Sequence, residues 1–238
     1  LSLKNRSSYN STLIKKDEAA ILSFLKDDGY YFSKVTSSYQ DLGGNKIDLL
    51  YQIELGEKSK ISKISFIGDK KFKDSTLKNI IISEEYKFWK FLSGKKYLNE
   101  NLINYDKRLL NNFYKNKGFF NVVIESSFAN YLGDDKFEII YNISSGNKFY
   151  FNEFNLNLPL DYDRANFQQL DKIFIELKGE NYSLNSIDKI LKEIDKIVLN
   201  EQFEFLKSTV IESIEGNLIN LTFDMGVSEK FYVEKINI

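Results

Sequence analysis

The chain has no cysteine and no histidine, and only one proline, one methionine and one tryptophan among its 238 residues. Without cysteine or histidine a structural zinc site is not expected, because such sites are built from those ligands. Serine–histidine and cysteine–histidine nucleophilic catalysis are excluded on the same ground. The lack of cysteine fits any redox compartment and selects none. Long apolar runs are missing too: nothing approaches the about 20 residues that a membrane-spanning helix needs. Charge of one sign is not in excess, with 33 basic against 34 acidic residues and a net of −1. That argues against a nucleic-acid grip, which needs clustered basic surface to displace counterions. No secretory leader is legible. The first residue is Leu1 rather than Met, and the last residues read as the opening of a strand. The expectation is a piece of a longer protein, so absent targeting signals carry no weight.

What is present suffices for packed cores: 42% of residues are hydrophobic and 15% aromatic. The informative pattern is a boundary, Lys-x-x-φ-x-x-φ-x-φ with φ apolar, that returns three times. It runs from Lys58 through Ile61, Ile64 and Phe66, from Lys148 through Phe151, Phe154 and Leu156, and from Lys230 through Val233, Ile236 and Ile238. Lys58 to Lys148 is 90 residues and Lys148 to Lys230 is 82. That period is the length of a small α+β domain, so the chain reads as a tandem array. Each copy follows an alternating strand closed by a glycine, Gly56, Gly146 or Gly226.

The middle copy is complete. Ile61, Ile64 and Phe66 predict a strand with one slip in its alternation, the mark of a bulge. A short helix from Asp74 to about Ser83 follows, then an aromatic connector over 85–94. Asn99 caps a longer helix whose apolar face is expected to hold Leu102, Tyr105, Leu109, Leu110 and Phe113. Gly118 supplies its left-handed cap. Strands Phe119–Ala129 and Lys136–Ile143 close the unit as a hairpin. The plan is β-α-α-β-β, with a three-stranded mixed sheet covered by two helices. The expected domains are 1–57, lacking its opening strand, then 58–146, 147–226, and 227–238 as the first strand of a further unit.

Few residues suggest chemistry. Glu84-Glu85, Asp134-Asp135 and Asp161/Asp163 come nearest to a cation site, yet none has EF-hand spacing, and solvated turns and helix caps are the plainer reading. Lys70-Lys71 and Lys95-Lys96 likewise read as solvated turns. No glycine-rich phosphate loop occurs. The expectation is a protein with no catalytic residues, no metal and no cofactor. Phe88, Trp89, Phe91 and Leu92 in the connector are either a cap on the core or a docking patch for a partner.

The segment Lys63-Ile64-Ser65-Phe66-Ile67-Gly68-Asp69-Lys70-Lys71-Phe72 resembles the opening strand of the POTRA family. Phe91-Leu92-Ser93, Leu98, Tyr105-Asp106, Leu109-Leu110, Phe113-Tyr114 and Gly118-Phe119 resemble the rest of that unit. Within the family the likeness is greatest to the arrays of outer-membrane β-barrel assembly factors. TamA-like proteins, two-partner secretion transporters and chloroplast import channels carry the same repeat, and a structural interaction module of another kind is the alternative. The resemblance implies a periplasmic location, a C-terminal membrane barrel outside this chain, unfolded outer-membrane proteins as clients and accessory lipoproteins as partners. If the opening strand pairs with the last, the first strand of the hairpin is left at the sheet edge. Asn121, Val122, Val123, Ile124, Glu125 and Ser126 are therefore the expected edge for an added client strand.

Overall fold

The computed structural model describes residues 1–87, 89, 94–201, 203 and 206–227, with the side chains of 125–129 left aside. The chain forms two compact units, residues 1–110 with 124–144, and residues 111–123 with 145–238. The fold is α+β, with a mixed three-stranded sheet in each unit and a separate two-stranded sheet in the first. The expected strand over 227–238 lies outside the described residues beyond Val227.

The first unit opens with α1 (Ser11–Asp27). The Asn10 side chain caps it by accepting from the Thr12 and Leu13 amides, which satisfies two of the orphan donors of a helix start. Hairpin β1 (Lys34–Gly43) and β2 (Lys46–Glu54) follows, antiparallel from Lys34 opposite Glu54 to Gly43 opposite Lys46. The next elements are β3 (Lys60–Asp69), α2 (Asp74–Lys78), α3 (Glu100–Lys115), β4 (Val123–Gly133) and β5 (Lys136–Ser144). The strand order is β3-β5-β4, with β3 parallel to β5. Register slips between Ile61 and Lys63, where the sequence loses its alternation. The slip turns Ile61, Ile64 and Phe66 all into the core, where Leu77, Leu98, Leu110, Ile139 and Tyr141 are also buried and the Phe66 ring stacks on Tyr141.

The second unit repeats the plan with β6 (Tyr150–Asn157), a 3-10 turn (Arg164–Phe167), α4 (Gln168–Leu177), α5 (Leu184–Asn200), β7 (Leu206–Glu215) and β8 (Leu218–Val227). The order is β6-β8-β7, with β6 parallel to β8. The register also slips at the same step, between Phe151 and Phe154. One core joins Phe151 and Phe223 to Phe167, Leu170 and Phe174, and to the α5 stripe of Ile187, Ile190, Ile194 and Ile197. That stripe sits at helical spacing, so a single face of α5 covers the sheet.

Three sequence expectations are corrected by packing. The buried face of α3 is Ile103, Asp106, Leu110 and Tyr114; Tyr105 is exposed, and Leu109 and Phe113 are half-buried. Lys96 is buried, not a solvated turn residue, with its ammonium 5.1 Å from the Tyr86 ring centre and 5.4 Å from that of Tyr97. Residues 119–122 precede β4 rather than open it, and form a turn in which the Phe119 amide donates to the Tyr114 carbonyl.

One backbone device appears once in each unit. Gly29 and Gly118 both have φ +94°, a left-handed conformation that side-chain-bearing residues avoid. The Gly29 carbonyl accepts from the Ser59 amide and the Gly118 carbonyl from the Phe149 amide, each at 2.8 Å. A Cβ on Gly29 would lie 3.2 Å from the Tyr97 Cβ, and one on Gly118 3.3 Å from the Asn181 Cβ. Aromatics follow each glycine: Tyr31 and Phe32 pack on Phe137, and Phe120 on Phe149 and Tyr182.

Candidate peptide-binding edge

The parallel pairing of β3 with β5 makes β5 the central strand and sends β4 to the rim. Among the described residues, β4 has β5 on one side and no strand on the other. An edge strand presents every second N–H and C=O outward, a ready template for an extended chain. Of the six residues expected at this edge, Val123, Ile124, Glu125 and Ser126 lie on β4. Asn121 and Val122 lie just before it, in the turn. Val123 is exposed while Val122 and Ile124 are buried. Further along β4, Tyr131 and Leu132 are half exposed. The Tyr131 ring stands 5.2 Å from Phe137 and 5.1 Å from Phe32, an aromatic wall beside the far end of the strand.

The second unit holds an equivalent edge that the sequence reading did not name. Strand β7 has β8 on one side and no strand on the other among the described residues. Ile211 and Ile214 are exposed along it, with Lys207, Glu212 and Glu215 on the same strand, charges of the kind that guard an edge. The repeated boundary was signal enough to find β7, since it occupies the place of β4 in the next copy. The Glu212 carboxylate accepts from the Tyr182 hydroxyl at 2.9 Å. Burial first, then that carboxylate, raises the Tyr182 hydroxyl above its ordinary value.

The opposite rim of the first unit is closed by its own chain. The Tyr86 amide donates to the Ile61 carbonyl at 2.6 Å, and the Ile64 amide donates to the Glu85 carboxylate at 3.0 Å. Lys78 pairs with the same carboxylate at 2.6 Å. Burial pulls the Glu85 carboxyl up, but the Lys78 ammonium and the Ile64 N–H outweigh it and leave the group below its ordinary value. Glu85 is thus a strand cap rather than a solvated turn residue. Of the connector patch, Trp89 is 60% exposed with the Lys87 ammonium over its ring; Phe88, Phe91 and Leu92 lie outside the described residues.

Among the described residues no group of three or more carboxylates gathers to hold a metal ion, and no helix is long and apolar enough to cross a membrane.

The family described as POTRA, surface antigen variable number repeat, matches residues 1–56 and 59–146. The chain belongs to the POTRA family. The second unit carries the same POTRA element order and strand order over β6 to β8. The chain is similar to the outer membrane protein assembly factor BamA of Neisseria meningitidis serogroup B, 21% identical over 233 residues, covering 97% of this chain and 29% of that protein. It is similar to BamA of Buchnera aphidicola subsp. Acyrthosiphon pisum, 24% identical over 196 residues, covering 81% and 31%. The chain therefore spans less than a third of the length of these relatives. Among solved structures, POTRA3-5 of Haemophilus influenzae BamA aligns with TM-score 0.54 and 12% identity, over 95% of this chain and 84% of that one. That likeness is one of fold.

Proposed function

We propose that this POTRA array is the periplasmic part of an outer-membrane protein assembly factor, and that it receives unfolded β-barrel proteins as added strands. The supporting observation is the outer side of β4, which has no partner strand among the described residues. Main-chain pairing at such an edge is largely independent of client sequence, which suits a receiver of many barrels. Affinity is weak, because an extended peptide is ordered on binding at the expense of its own conformational freedom. The exposed Trp89 ring belongs to a second surface, on which accessory lipoproteins dock. Clients pass to a membrane barrel that the longer protein supplies.

The test uses consecutive prolines on β4. Val123 is the first residue of the strand, where proline is tolerated, so it is a poor probe. Asn130 and Tyr131 lie inside β4, and in an edge strand neighbouring N–H groups point alternately inward and outward. Of Asn130→Pro and Tyr131→Pro, one removes a bond to β5 and lowers thermal stability. The other removes an outward donor and loses binding of barrel-strand peptides; Tyr131→Ala is the stability reference for Tyr131→Pro, because the Tyr131 ring packs on Phe137 and Phe32. Undiminished peptide binding by both variants would exclude β4 as the client edge.

A further inference from the structure

The two units share the same bulged strand, and among the described residues a side chain caps the N–H just beyond the bulge in only one of them. Ile64 on β3 pairs with Ile139, and Phe154 on β6 pairs with Leu221, just beyond the same register slip. The backbone partners on the inner side also correspond: the Lys60 amide donates to Asp135, the Tyr150 amide to Asn217. So do those on the outer side. The Ile61 carbonyl accepts from the Tyr86 amide, and the Phe151 carbonyl from the Gly179 amide at 2.8 Å. The residue before Tyr86 is Glu85, whose carboxylate accepts the outward N–H of Ile64. The residue before Gly179 is Lys178, a side chain with three donors and no acceptor.

The exchange of Glu85 for Lys178 removes the acceptor and leaves an ammonium in its neighbourhood. Lys178 is exposed and has no ion pair among the described residues. No side chain among the described residues accepts from Phe154 N–H as Glu85 does from Ile64. In the same place a groove of about 320 Å³ opens between β6 and α4, lined by Asn152, Glu153, Phe154, Asn155, Phe174, Ile175 and Lys178. Its apolar part is the Phe154 and Phe174 rings, stacked at 5.1 Å, with Ile175 77% exposed beside them.

We infer that this groove binds an extended peptide segment carrying one acidic side chain, held as Glu85 is held in the first unit. The peptide carboxylate accepts from the Phe154 N–H and pairs with Lys178, while its neighbours lie on Phe174 and Ile175. Charge-assisted bonds of this kind are about twice as strong as neutral ones. Glu153 on the rim disfavours a second acid next to the first. The site is on β6, not β4, so it stands or falls apart from the client edge.

The probe is the chain's own capping segment, a blocked peptide of residues 82–87 with Glu84→Ser, titrated into the isotope-labelled 238-residue chain. Amide shifts at Phe154, Asn155 and Lys178 are expected. A second peptide that also carries Glu85→Gln binds about tenfold more weakly, as expected when a charged acceptor is lost. Lys178→Glu, which restores an acid before the glycine, abolishes binding while melting stays level or rises; Lys178→Gln, should the first variant fold poorly, weakens binding as the Gln peptide does. Equal affinity for the two peptides overturns the assignment, and so do shifts confined to β4 or no shift at Phe154.

Discussion

Asp106 is the acid on which the first unit's packing turns, and its removal is the sharpest test of that packing. It is fully buried on α3. One carboxyl oxygen accepts from the Ile82 amide at 2.7 Å, both lie 3.3 Å from the Ser83 amide, and the second accepts from the Tyr141 hydroxyl at 2.8 Å. The group thereby fixes the chain leaving α2 to α3 and to the central strand. Burial, and then Asp106, hold the Tyr141 hydroxyl far above its ordinary value, so it acts as a donor throughout the usable pH range. Asp106→Ala strands three donors, two of them, the Ser83 amide and the Tyr141 hydroxyl, on buried residues. At about 1–3 kcal/mol for each lost partner, with partial relief by relaxation, the expected loss is about 3–5 kcal/mol. That is a large share of the about 5–15 kcal/mol that holds a domain folded. In urea it moves the midpoint by about 2 M, given slopes of about 1–3 kcal/mol/M. Asp106→Asn retains one acceptor but turns an NH2 group toward backbone donors, and costs about 2–3 kcal/mol. Tyr141→Phe alone costs about 1 kcal/mol, and much less when Asp106 is already Ala. Amide exchange at Ile82 and Ser83 gives the local readout, and both must lose protection in Asp106→Ala. A variant within about 0.5 kcal/mol of wild type, with those two amides still protected, would refute the role given to Asp106.

Other outcomes follow from packing and charge. Leu110→Ala, at a side chain with no exposure, should cost about 2–5 kcal/mol in urea titration, as a core cavity does; Leu109→Ala, half-buried, should cost less. Gly68→Ala drives a Cβ into the Ile143 carbonyl oxygen at a φ of +84°, and should cost more than the about 1 kcal/mol of a simple glycine replacement; unchanged melting would contradict it. Glu138 is held below its ordinary carboxyl value by the Lys63 ammonium first and then by the Ser65 hydroxyl, against burial. A depressed carboxyl contributes stability that is present above its unfolded value and lost as pH falls through the folded one. Stability should therefore decline on acidification below about pH 5, and Glu138→Gln should flatten that decline; an identical acid limb in both proteins would show that the pair contributes nothing.

The architecture was legible because the repeated boundary marks each opening strand, and the broken alternation at Ile61–Ile64 marks the bulge that both units share. The helix face was legible only to within one position. A buried Asp106 interrupts the apolar pattern of α3, and periodicity assigns a polar residue to the solvent side, so the predicted stripe was turned toward Tyr105. Its partners lie 23 to 35 residues away, beyond the reach of any local pattern. The start of β4 was misjudged for a related reason: Phe119 and Phe120 have strand-forming side chains, but tertiary contacts take them, Phe120 on Phe149 and Tyr182. Glu85 and Lys96 read as solvated charges because their satisfaction comes from a strand edge and from two rings. The edge itself followed from connectivity, since a β-α-α-β-β chain with a parallel first and last strand leaves the middle one outside. Its second copy at β7 was open to the same argument.

The central claim is that extended clients are received on the outer side of β4. The most direct measurement is an amide titration of the full chain with a peptide from a barrel strand, alongside the same peptide N-methylated at alternate residues. The account predicts shifts that alternate along Val123–Gly133, strong for the unmodified peptide and absent when the methyl groups face the protein. Shifts clustered instead on Trp89, or equal binding of the methylated and unmodified peptides, would contradict it.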